Sequence, residues 1–184
     1  MTLPALLLLA LAGGALQAQA PEKKPDPWAP VRPLVGIWQG AASGEPGTGT
    51  AARRYEFVLN GRFLHERNTS TYPPQERNKA GEVHEHWSFF SYDRKRKTIL
   101  FRQFHQEGFV ITYALDPARS TSSKVVFESE QLENVPPTWK ARETYEWTSE
   151  DAFTETFEIA QGDKPFAVYS RNQFKRQRGE GGTR

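Results

Sequence analysis

The chain has four histidines, His65, His84, His86 and His105, and no cysteine. His84 and His86 stand two residues apart, so on a strand they share one face. Imidazoles on one face of a strand hold a borderline metal such as zinc when a neighbouring strand adds a third ligand. His105 is the candidate third ligand, and the strand register decides whether it meets the pair. A four-residue loop, Arg94 to Lys97, pairs Asp93 with Thr98 and sets His86 opposite His105. A five-residue loop sets His105 opposite Glu85, on the other face. No second His-x-His motif follows and thiolate ligands are absent. The expected role is therefore hydrogen bonding on a wet face or in a polar lumen. No metal is predicted, and His84, His86 and His105 are the candidates should one bind.

Other reactive groupings are sparse. No serine sits in a Gly-x-Ser-x-Gly elbow. The acidic pairs Glu128/Glu130 and Glu143/Glu155 alternate along open strands, where charged residues are expected on the solvated face. The glycine-rich stretch Gly44 to Gly49 opens a strand and not a helix, so it lacks the dipole that cradles phosphate. Catalysis is not expected. Ligand binding is: Arg67, Arg102 and Tyr113 are the expected polar anchors at the mouth of a lumen, with Trp38 and Trp87 as aromatic wall.

These residues lie on a chain of alternating pattern. Arg54 to Leu59 alternates and meets the hairpin signal Asn60-Gly61. Further strands are predicted over 62–72, 83–92, 98–105, 109–115, 125–132, 139–147, 153–160 and 166–174. Turn signals recur every ten to fifteen residues or so, the mark of an antiparallel barrel or sandwich of roughly eight to ten strands. Twelve Phe, six Tyr and five Trp suit pleated, half-buried surfaces. Helical spacing is confined to a short turn at Trp28 to Leu34. In Trp87 to Phe90 and in Phe101 to Phe104, aromatic residues fall on both faces.

The ends read differently. Leu3 to Leu11 is a short apolar run, and Ala18 and Ala20 suit a signal-peptidase site, so residues 1–20 are expected to be a signal peptide. The run is too short for a membrane span, and the expected location is periplasmic or secreted. Residues 21–33 hold five prolines and are expected to be a tether. The barrel is placed over 34–176 and a disordered tail over 177–184. Basic residues number 24 and acidic 22, well mixed, so a nucleic-acid partner is not expected. Oligomeric state is left open.

Leu34-Val35-Gly36-Ile37-Trp38-Gln39-Gly40 opens the domain. Ser43 to Thr50, Asn60 to Leu64 and the Ser91-Tyr92-Asp93 turn follow in order. This succession resembles an uncharacterised exported bacterial family of the lipocalin-like (calycin) superfamily. It is more distantly similar to nitrobindin-type haem-binding barrels. The resemblance implies a lipocalin-like β-barrel with Trp38 as a plug across one end, Gly36 beside it, and a basic residue of the last strand stacked on the indole. Arg171 is the expected partner, with Lys175 and Arg176 as alternatives. Nitrobindin-type barrels take their haem ligand from a late strand, where this chain offers Tyr169 and no histidine. The expected function is binding of a small, mainly apolar ligand such as a lipid or fatty acid, with no cofactor. The alternatives are a haem- or metal-dependent enzyme of the nitrobindin kind and a barrel simply filled by its own side chains.

Overall fold

A computed structural model describes residues 25–76 and 78–178, and the expected signal peptide lies outside them. Ten strands follow one another: β1 (Gly36–Gly44), β2 (Gly47–Val58), β3 (Phe63–Tyr72), β4 (Glu82–Asp93), β5 (Thr98–His105), β6 (Val110–Leu115), β7 (Lys124–Glu133), β8 (Trp139–Ser149), β9 (Ala152–Gln161) and β10 (Ala167–Gln177). Each pairs antiparallel with its neighbours, and β1 pairs with β10 to close the barrel. Closure leaves none of the ten described strands as an edge strand. None of the described helices is long and apolar enough to cross a membrane.

The glycine-rich stretch 43–50 is a tight hairpin. β1 runs to Gly44 and β2 starts at Gly47, with φ of +149° and +111° at the two glycines. A Cβ on Gly44 would stand 2.1 Å from the Tyr169 carbonyl oxygen of β10. Only glycine permits that approach.

One side-chain set per strand points inward, and the lumen is layered. One end is filled. Phe90 stacks on Phe101 with centroids 4.4 Å apart, Phe101 on Tyr113 at 4.8 Å, and Trp38 meets Phe153 edge-on at 4.7 Å. The described part of the expected tether belongs to this end. Trp28 and Val31 are buried, and Trp28 packs edge-on against Phe57 at 5.3 Å. A turn of backbone hydrogen bonds and a short 3-10 helix, Arg32–Leu34, carry them across the opening. Two apolar side chains in a proline-rich run are sufficient to dock it on a barrel end. Of the expected tail, Gln177 completes β10 and Arg178 pairs with Asp151, while 179–184 lie outside the described residues.

Trp38 is fully buried, and its partner is Arg176, with Cζ 4.1 Å from the indole centroid. Arg171 has the opposite parity: it faces outward opposite Ser43. Arg176 lies directly across from Trp38 and ties the seam further. It donates to the Val35 carbonyl at 2.6 Å and to Asp151 Oδ1 at 3.0 Å.

Candidate functional site

Above the aromatic layer lies a belt of buried polar groups. Arg53 on β2 donates to Asn68 Oδ1 at 3.0 Å and pairs with Glu155 at 2.7 Å and Glu66 at 3.3 Å. Burial opposes its charge, but Glu155, Tyr55 and Glu66 around it hold the guanidinium protonated. Burial would likewise raise the Glu66 carboxyl, yet Arg53 and His86 pull it down to about 2. Glu143 is the opposite case. Burial, then the neighbouring Glu155, pushes it well above the usual carboxylate range, which favours its neutral form. The expectation that Glu143 and Glu155 face solvent is overturned: they are 2% and 1% exposed. Both lie on the inward face of β8 and β9, and paired charge on Arg53 makes such burial tolerable.

Beyond the belt the barrel is open. A cavity of about 450 Å3 rises from Arg53, Asn172, Glu143 and Glu155 to an apolar rim that includes Phe109, Leu132, Trp139 and Phe157. His84, His86 and His105 form part of its wall.

The four-residue loop is the one adopted, and His86 pairs with His105 across β4 and β5. All three imidazoles therefore point into the lumen, with ring centroids 5.2 to 5.6 Å apart. His86 Nδ1 and His105 Nδ1 each lie 3.4 Å from His84 Nε2. The outer nitrogens meet acceptors: His84 Nδ1 stands 2.8 Å from Glu107 Oε1, His86 Nε2 3.3 Å from Glu66 Oε1, and His105 Nε2 3.1 Å from Gln103 Oε1. The Gln103 amide nitrogen is also 3.2 Å from His86 Nε2. The ionised Glu66 has the stronger hold on that nitrogen, because a charged acceptor makes the stronger bond. Burial, then His86 and His84, hold His105 down to about 2. Burial also lowers His86, so both rings are neutral near pH 7. His65, the fourth histidine, lies on the outer face and stacks on Phe89 at 4.7 Å.

The expected anchors stand elsewhere. Arg67 and Arg102 face outward, as does Trp87, which is half exposed beneath the Arg67 guanidinium at 4.7 Å. Trp38 is inside but at the filled end. Tyr113 is inside and buried, stacked below the cavity, and its hydroxyl donates to Gln103 Oε1 at 3.2 Å. Parity explains the three that face outward: on β3, β4 and β5 the polar and the aromatic residues occur on both faces, and only the register tells which is inward. Sequence reasoning missed Arg53, Glu66 and Gln103. Each is an isolated polar residue, with no spacing to single it out.

Fold and cavity together define a closed antiparallel barrel of ten strands with a half-filled, half-open lumen. A similar fold occurs in the crystal structure of Rv2717c from M. tuberculosis, to which the chain is 13% identical. The two superpose with a TM-score of 0.59 over 83% of this chain and 98% of that one. At that identity the likeness is one of fold. No family model matches the chain, and no curated protein matches it.

Proposed function

We propose that the protein is an exported barrel of the calycin kind that binds one small ligand in its open half, without catalysis. The observation that carries this is the cavity itself. At about 450 Å3 it falls within the range of small-molecule sites, and apolar walls over a few polar groups are their usual lining. Aromatic rings pack only the other half, and the open volume argues against a barrel filled throughout. Export rests on the sequence from Leu3 to Ala20.

The floor selects the polar end of the ligand. Its cation, Arg53, is already engaged by Glu66 and Glu155. Asn172 Oδ1 and Glu143 Oε2 are buried without a hydrogen-bond partner. A carboxylate placed there would meet carboxyl groups, so a fatty acid is disfavoured. A mainly apolar molecule ending in a hydroxyl, amide or amine satisfies the floor. Haem fits the residues poorly. β10 turns Ser170, Asn172 and Phe174 inward, Tyr169 packs against Phe157, and the nitrogens of the three lumen histidines face one another.

Titration with an apolar fluorescent probe tests the reading, with Ala141→Phe as the companion variant. Ala141 is 1% exposed and lines the cavity, so phenylalanine there fills it. Saturable binding by the wild type and its loss in the variant are expected. Equal binding by both would place the probe elsewhere and end this reading.

A further inference from the structure

Each of the three lumen imidazoles sets one ring nitrogen against an oxygen and turns the other toward its two companions. His84 Nδ1 faces Glu107, His86 Nε2 faces Glu66 and His105 Nε2 faces the Gln103 carbonyl oxygen. His84 Nε2, His86 Nδ1 and His105 Nδ1 are left facing one another, all within 4.8 Å. A cation at their centre would take one nitrogen ligand from each ring. The spacing also matches one. Zinc–nitrogen bonds of about 2.0–2.1 Å in a tetrahedron give an edge of about 3.3–3.4 Å, and both inner separations from His84 Nε2 are 3.4 Å.

We propose that His84, His86 and His105 form a binding site for one divalent borderline transition metal, with zinc the best fit, whose fourth coordination position opens into the cavity. Three neutral nitrogen donors and no thiolate select zinc, cobalt, nickel or copper over calcium and magnesium. A carboxylate or carbonyl behind each ring fixes its tautomer and orientation, the outer-shell pattern of metal-ligating histidines. His84 and His86 come from one strand and His105 from the next, so a single antiparallel register presets the geometry. The inference is independent of which organic ligand enters the cavity. A protein that took zinc but no apolar probe would leave it standing and end the ligand reading.

The full chain, freed of metal with a chelator, should be titrated with zinc by calorimetry and with cobalt(II) by visible absorption. One zinc per chain and the intense bands of tetrahedral cobalt are expected. His86→Ala and His105→Ala should abolish both signals, and His65→Ala should leave them intact. Glu107→Gln changes only an outer partner at the cavity mouth and should weaken zinc by about ten- to a hundredfold. It is the informative variant if removal of a buried histidine unfolds the barrel. Weak binding with an octahedral cobalt spectrum would overturn the proposal. So would equal loss in His65→Ala, or full zinc affinity in Glu107→Gln. Zinc retained in His105→Ala but lost in Glu82→Gln would assign the ion to the neighbouring Glu82, His84 and Glu107 instead.

Discussion

Trp38 and Arg176 are direct cross-strand partners on β1 and β10, the pair whose hydrogen bonds close the barrel, and the guanidinium lies 4.1 Å from the indole centroid. The contact is therefore part of the seam. Gly36 belongs to it: its φ is +135°, and a Cβ there would stand 2.7 Å from Arg176 Nη1. Trp38 also donates from Nε1 to the Leu34 carbonyl at 2.6 Å, which ties the capping segment to the same indole.

Trp38→Ala is expected to destabilise the barrel by about 3–5 kcal/mol and Arg176→Ala by about 1–2 kcal/mol through the lost stacking. A double-mutant cycle followed by thermal denaturation checks the coupling: the two losses should sum to more than the double variant shows. Additive losses would mean that the two residues act separately. Arg171→Ala should leave the melting curve nearly unchanged, since its side chain is outside.

The capping segment is open to a similar test. Trp28→Ala removes the ring that packs on Phe57 and is expected to cost about 3 kcal/mol. A denaturation midpoint within error of wild type would show that residues before Leu34 contribute nothing to the barrel.

Arg53→Met leaves Glu66 and Glu155 buried without their cation and should cost about 3–5 kcal/mol. Chemical denaturation near neutral pH measures it. Outer-face Arg67→Ala, whose partner is the half-exposed Trp87, should change stability by less than about 1 kcal/mol and leave probe binding untouched. Weakened probe binding in Arg67→Ala would move the ligand to the outer face.

Glu143 sets a pH dependence of known sign. Its folded pKa is raised well above the ordinary 4.5, so the folded protein keeps a proton that the unfolded chain gives up. That contribution is full below pH 4.5 and is lost as pH rises toward the folded value, with a slope of at most about 1.4 kcal/mol per pH unit. Glu143→Gln preserves the neutral form and should flatten the fall. Urea denaturation of both proteins at several pH values above 4.5 compares them. An unchanged slope in the variant would assign the dependence to another group.

Alternation of side-chain type, with glycine, asparagine and proline at the turns, was enough to read an all-β chain and the approximate strand spans, while the Gly36–Trp38 opening was implied by resemblance. Those are local properties: a strand shows its period in its own residues. Which residues enter the lumen is not local. A slip of one residue between β4 and β5 would turn His105 outward and dissolve the histidine cluster. The same ambiguity hid Glu143 and Glu155, whose alternation reads equally well as a wet face, and placed Arg171 where Arg176 belongs. Loop length, strand pairing and the closure of β1 on β10 act together to set the register. Only in the closed barrel do residues from β2, β3, β4, β5, β8, β9 and β10 converge into one polar floor beneath an open cavity.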